Sequence, residues 1–135
     1  MSRPNKKRLP GSPEEWLTHA RSDLKLARIA RKDEDVLVEQ VCFHAQQAVE
    51  KALKSVLLFH KLDFPLTHDI EELLEIAEKG GIDLPLDINS AGELTPYAVE
   101  TRYPGYWDEI NEADVDVALD LAEQVLTWAE KHITS

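Results

Sequence analysis

The stretch Cys42–Phe59, reading CFHAQQAVEKALKSVLLF, decides the fold. Apolar residues stand at Cys42, Phe43, Ala45, Ala48, Val49, Ala52, Leu53, Val56, Leu57 and Phe59, which leaves no wide polar face at the helical period. A helix that is apolar nearly all round belongs at the centre of a bundle. Its polar interruptions are therefore informative. His44, Gln47, Lys51 and Lys54 follow an i, i+3, i+7, i+10 spacing and line up along one strip. An imidazole, an amide and two ammonium groups arranged in this way suit a phosphate and a base edge. A satisfied core histidine, with lysines laying their stems along apolar surface, gives the same pattern.

Helical signals continue on both sides. Ser12, Pro13 and Glu15 spell a capped helix start. The first helix then runs to about Lys32, with Leu17, Ala20, Leu24 and Ala27 inward and Arg21, Lys25, Arg28 and Lys32 on an adjacent face. The basic row reads as a grip for phosphate or an acidic protein, or as a plain solvated face. The central helix spans about Val36 to His60 after the acidic turn Asp33-Glu34-Asp35. Thr67 is expected to cap a third helix with Ile70, Leu73, Leu74 and Ala77 inward and Glu71, Glu75 and Glu78 outward, and Gly80-Gly81 to end it. A fourth helical region, about Leu86 to Arg102, is expected to break near Leu94-Thr95 because Pro96 lacks a donor. Asn111 caps a last helix to about His132, with Ala113, Val117, Leu121, Val125 and Trp128 expected inward. Its acidic row Glu112, Asp116, Asp120 and Glu123 matches the spacing of the basic row on the first helix, so the two are expected to face each other within one chain or across a dimer. No stretch alternates as a strand does. The fold class is all-α, an antiparallel up-and-down bundle of four to five helices, with residues 1–11 as a flexible basic arm and 12–135 as a single domain.

Composition narrows the function. The 135 residues suffice for one compact domain. Net charge is −11, split between +4 for residues 1–61 (12 Lys/Arg, 8 Asp/Glu) and −15 for residues 62–135 (3 Lys/Arg, 18 Asp/Glu). The acidic total argues against indiscriminate nucleic-acid binding, while a local basic strip remains available for it. The lone Cys42 closes no internal disulfide, and no apolar run reaches the length of a membrane span, so a cytoplasmic protein without a membrane role is expected. Nor is there a Gly-rich phosphate loop, a CxxC pair or a histidine pair at i+3 or i+4. No cofactor and no metal ligand set are expected.

The central CFHAQQAVEKALKSVLLF, the THD of Thr67 to Asp69 and the AVETRYPG of Ala98 to Gly105 together resemble the HEPN domain, named for higher eukaryotes and prokaryotes nucleotide-binding. The resemblance covers about Trp16 to Trp128. It implies a helical bundle, usually a homodimer, that often acts with a minimal nucleotidyltransferase in toxin-antitoxin-like systems. Some members are ribonucleases marked by an Arg followed after four to six residues by a His. Here none of His19, His44, His60, His68 and His132 has an Arg five to seven positions before it, and the nearest substitutes, Lys54 and Lys61, lack the guanidinium fork. The resemblance is therefore to a branch without that motif.

Two constellations are candidate ligand sites: the strip His44, Gln47, Lys51 and Lys54, and the group of Arg102 with Tyr97, Tyr103, Tyr106 and Trp107, where a cation and ring faces suit a base and its phosphate. The alternative for the second is an acid such as Glu100 pairing Arg102, with the rings filling a dimer interface. Three functions follow: a non-catalytic module that binds a nucleotide, an RNA end or a nucleotidyltransferase; a pure interaction or scaffold dimer; and a divergent metal-independent ribonuclease.

Overall fold

The computed structural model describes residues 11–98 and 109–134. The basic arm and the aromatic group from Arg102 to Trp107 lie outside the described residues, apart from Gly11. Among those described there are helices and no strand: α1 (Pro13–Arg31), α2 (Val38–Phe59), α3 (Ile70–Lys79), the single turn α4 (Leu86–Asn89), a 3-10 segment Ser90–Ala98, and α5 (Glu112–Thr134).

Each start follows from local chemistry. Ser12 Oγ accepts from the Glu15 N–H at 3.1 Å and Glu15 Oε1 accepts from the Ser12 N–H at 2.7 Å, a reciprocal box with Pro13 at the first helical position. Asn111 and Asp114 close the same kind of pair at the start of α5, both at 2.9 Å. For α3 the cap is Asp69 rather than Thr67. Asp69 Oδ1 accepts from the Glu71 N–H at 3.0 Å, while the Thr67 hydroxyl accepts from the Asp69 N–H and orders the turn before it. Gly80 ends α3, and Gly81 takes a φ of 90° that other residues resist. The fourth helical region leaves the α-helical form already after Asn89 and winds as a 3-10 helix through Pro96, rather than breaking at Leu94-Thr95.

Packing places α2 at the centre, in contact with α1, α3, α5 and the 3-10 segment. Val41, Cys42, Ala45, Ala48, Val49, Ala52, Leu53, Val56 and Leu57 are all buried. The inner faces expected for α1 and α3 are the buried ones. On α5 the expected Leu121 and Val125 are buried and Trp128 packs against the core, but Val115, Ala118, Ala122 and Ala129 point inward where Ala113 and Val117 were expected to, and Val117 is 50% exposed. Steps of four advance about 40° around a helix, so the line from Val125 back through Leu121 to Val117 and Ala113 rotates out of the core.

The two helices face each other within the chain, but only Arg28–Glu123 joins a member of each expected row, Arg31 and Glu130 belonging to neither. Arg21 Nε reaches Glu130 at 2.6 Å, Arg28 pairs with Glu123, and Arg31 bridges Glu112 at 2.9 Å and Asp116 at 2.6 Å. The pairing order sets α1 antiparallel to α5. Asp23 meets Lys51, and Trp16 meets Lys54, which sets α1 antiparallel to α2 as well. The C-terminal ends of α2 and α5 consequently lie together, where His60 Nε2 and His132 Nδ1 are 3.1 Å apart. No helix among the described residues is long and apolar enough to cross a membrane.

Candidate functional site

The polar strip of α2 divides into two networks. In the first, Asp23 from α1 is shared by two strip residues: its Oδ1 lies 3.2 Å from His44 Nδ1, and its Oδ2 accepts from Lys51 Nζ at 2.6 Å. The Asp23 side chain is 13% exposed, while His44 and Lys51 are about twice as open. One carboxylate thus fixes an ammonium and an imidazole side by side on the outward strip of the central helix. Asp23 is the lone acid among Arg21, Lys25, Arg28 and their neighbours on α1, and that isolation was the only trace of its role in the sequence.

The second network runs into the core. Lys54 does not snorkel to solvent: its ammonium donates to Glu50 Oε2 at 2.7 Å, with both side chains more than nine-tenths buried. It also lies 5.5 Å from the Trp16 ring centroid and 5.8 Å from that of Phe64, so two ring faces replace part of its lost hydration. Glu50 Oε1 accepts from Gln46 Nε2 at 3.2 Å and lies 3.0 Å from His68 Nδ1. Gln46 Nε2 also donates to the His68 carbonyl at 3.2 Å, and Gln46 Oε1 accepts from Gln47 Nε2 at 2.8 Å. Every polar group buried here has a partner, as a low-dielectric interior requires. His68, part of the THD segment, is the exposed end of the chain of bonds and ties the connection before α3 to the central helix.

Of the strip residues, His44 and Lys51 come together on Asp23, Gln47 is tied through Gln46 to the Glu50 network instead, and Lys54 turns away into the core. Arg102 and Tyr103 lie outside the described residues. Asp23, Gln46, Glu50 and His68 are the partners that reading one helix strip does not reveal. The Glu50–Lys54 pair carried a sequence signal, an i, i+4 spacing of opposite charges. Among the described residues no group of three or more His, Cys, Asp or Glu side chains gathers to hold a metal ion.

The comparisons with known proteins agree with this architecture. The sequence model of the HEPN domain matches residues 13–132. The crystal structure of ST0689, an archaeal HEPN homologue, superposes with a TM-score of 0.74 at 29% identity, covering 93% of this chain and 100% of that one. That of TT1696 from Thermus thermophilus superposes with a TM-score of 0.76 at 30% identity, covering 90% of this chain and 98% of that one. No curated protein matches the sequence. With the domain match running almost from end to end and the same bundle in a named homologue, the chain belongs to the HEPN domain family.

Proposed function

We propose that this HEPN protein is a non-catalytic binding module that works through a macromolecular partner, engaged at the α1–α2 strip of Asp23, His44, Gln47 and Lys51. A minimal nucleotidyltransferase is the partner that the family resemblance implies. The observation that carries the reading is the shared Asp23: it holds an imidazole and an ammonium in fixed positions at a partly open surface, and its negative charge offsets that of Lys51. A preorganised, neutral polar cluster suits hydrogen bonding to a protein surface, where unpaired cations would be costly to cover. The missing Arg-x4–6-His spacing supports binding without RNA cleavage.

A homodimer is the assembly we expect. Leu26 and Ile29, one turn apart on α1, and Val117 on α5 are large apolar side chains left about half exposed. A second reading rests on the same geometry: His44 and Lys51 converge on one carboxylate, and a phosphate taking the place of Asp23 would meet both groups, giving nucleotide or RNA-end binding.

Affinity purification of the full chain from its native host, with wild type and a His44→Ala/Lys51→Ala variant, separates these readings. Recovery of a nucleotidyltransferase with wild type and its loss with the variant supports the first. Recovery of nucleotide or RNA alone favours the second. Metal-independent cleavage of single-stranded RNA by the purified chain overturns both.

A further inference from the structure

From the His60–His132 pair we infer a binding site for a divalent transition-metal ion with a cis-coordination preference, Cu2+ or Ni2+, that ties together the C-terminal ends of α2 and α5. The pair lies outside the α1–α2 strip. Its two residues are 72 positions apart in sequence, so no local motif announces it.

Two observations converge. The first is distance: His60 Nε2 and His132 Nδ1 are 3.1 Å apart. Two metal–nitrogen bonds of about 2.1 Å spanning that gap enclose roughly 95°, close to the right angle between neighbouring positions of a square-planar or octahedral ion, whereas a tetrahedral angle needs a gap of about 3.4 Å. The second is the setting. His60 caps the C-terminus of α2, and His132 sits in the last turn of α5, so the negative ends of two helix dipoles meet where a cation would lie.

The rings are arranged to permit the change. His132 is held edge-on against Trp128, with centroids 4.6 Å apart, and His60 is exposed, edge-on to Phe59, with room to turn its lone pair toward a shared ion. Two nitrogen–metal bonds form and two waters leave the ion. The ring that donated in the hydrogen bond carries its proton on its other nitrogen, so no net proton is released. Water fills the remaining positions, which makes this an open, two-ligand site rather than a closed cage.

The test uses the full chain without a polyhistidine tag, stripped with a chelator and titrated with Cu2+ or Ni2+ alone. Tryptophan fluorescence, with Trp128 beside the site, and the nitrogen couplings in the Cu2+ electron paramagnetic resonance spectrum report binding. We expect about one equivalent bound, two coupled imidazole nitrogens, and at least about a tenfold loss of affinity in both His60→Gln and His132→Gln. The exposed His19→Gln serves as the control and binds as wild type does. Circular dichroism checks that the variants fold; His60 is exposed at a helix end, so its replacement leaves the core intact. No saturation below about 1 mM metal, unchanged affinity in both variants, or loss in only one of them each overturns the proposal, the last because a single imidazole is then the ligand.

Discussion

Glu50 accepts a 2.7 Å hydrogen bond from Lys54 one helical turn away, and neither side chain is more than 7% exposed. Removing one member strands the other charge in the core. Lys54→Met is therefore expected to destabilise the fold by about 3 kcal/mol, while the double variant Glu50→Gln/Lys54→Met recovers most of that loss. Urea denaturation of both variants checks it. Equal destabilisation of single and double variants would show that shape, not charge, sets the cost.

Asp23→Asn separates stability from ligand response. The substitution removes the charge that balances Lys51 and His44 but keeps the shape, so the loss of stability is expected to be about 1 kcal/mol. Inorganic phosphate should then raise the melting temperature of the variant by at least about 2 °C at saturation and leave wild type unmoved. A variant as indifferent to phosphate as wild type would mean that the strip has no latent anion seat.

The α1–α5 ion pairs differ in kind from the buried pair. Arg31 bridges two carboxylates that are about two-thirds or more exposed, and the hydrogen bonds it donates to Glu112 and then Asp116 hold its guanidinium pKa above the ordinary value. Exposed pairs are weak and screened by salt. Arg31→Ala is expected to cost less than about 1 kcal/mol at low ionic strength and almost nothing in 1 M NaCl. Thermal melts at the two salt concentrations measure the difference.

The pH dependence of the metal-free protein follows from His132. Its pKa is lowered from the ordinary 6.5, first by burial and then by His60. Between the ordinary and the lowered value the unfolded chain binds more protons than the native one, so stability rises with pH across that window. It is full above 6.5, declines as pH falls toward the lowered value, and levels off below it. The His132→Gln variant should show a flatter profile, and a profile identical to wild type would place the dependence in other groups.

How much of this was legible in the sequence depends on distance along the chain. Helix starts were readable where the cap and its partner lie three residues apart, as at Ser12–Glu15, and the inner faces of α1 and α3 followed from periodicity. The inner face of α5 was legible only in its later part, at Leu121, Val125 and Trp128, because a sparse i+4 line drifts around the helix and Ala-rich positions such as Ala118 and Ala122 gave too little contrast to correct Ala113 and Val117. Within the site, the strip on α2 was visible as polar gaps in an apolar pattern. Its division into a surface pair on Asp23 and a core network on Glu50 was not, since Asp23 and His68 arrive from other elements. The facing of α1 by acids of α5 was half legible: matched spacing announced two rows and Arg28–Glu123 joins them, while Arg31 and Glu130, in neither row, were shown as partners only by the packing.

The antiparallel seat of α5 against α1 also sets an order of events during synthesis. Its ion pairs join residues 109, 95 and 81 positions apart, whereas the α1–α2 pairs on Asp23 span only 21 and 28. A growing chain can close the α1–α2 hairpin long before α5 exists, and loop-closure entropy makes the distant docking the slow step. Until the last helix leaves the ribosome, the groove it will fill stays open to water and to other nascent chains. The arginines along its rim, still without their acids, keep that half-built surface positively charged and so guard it against sticking to its own copies.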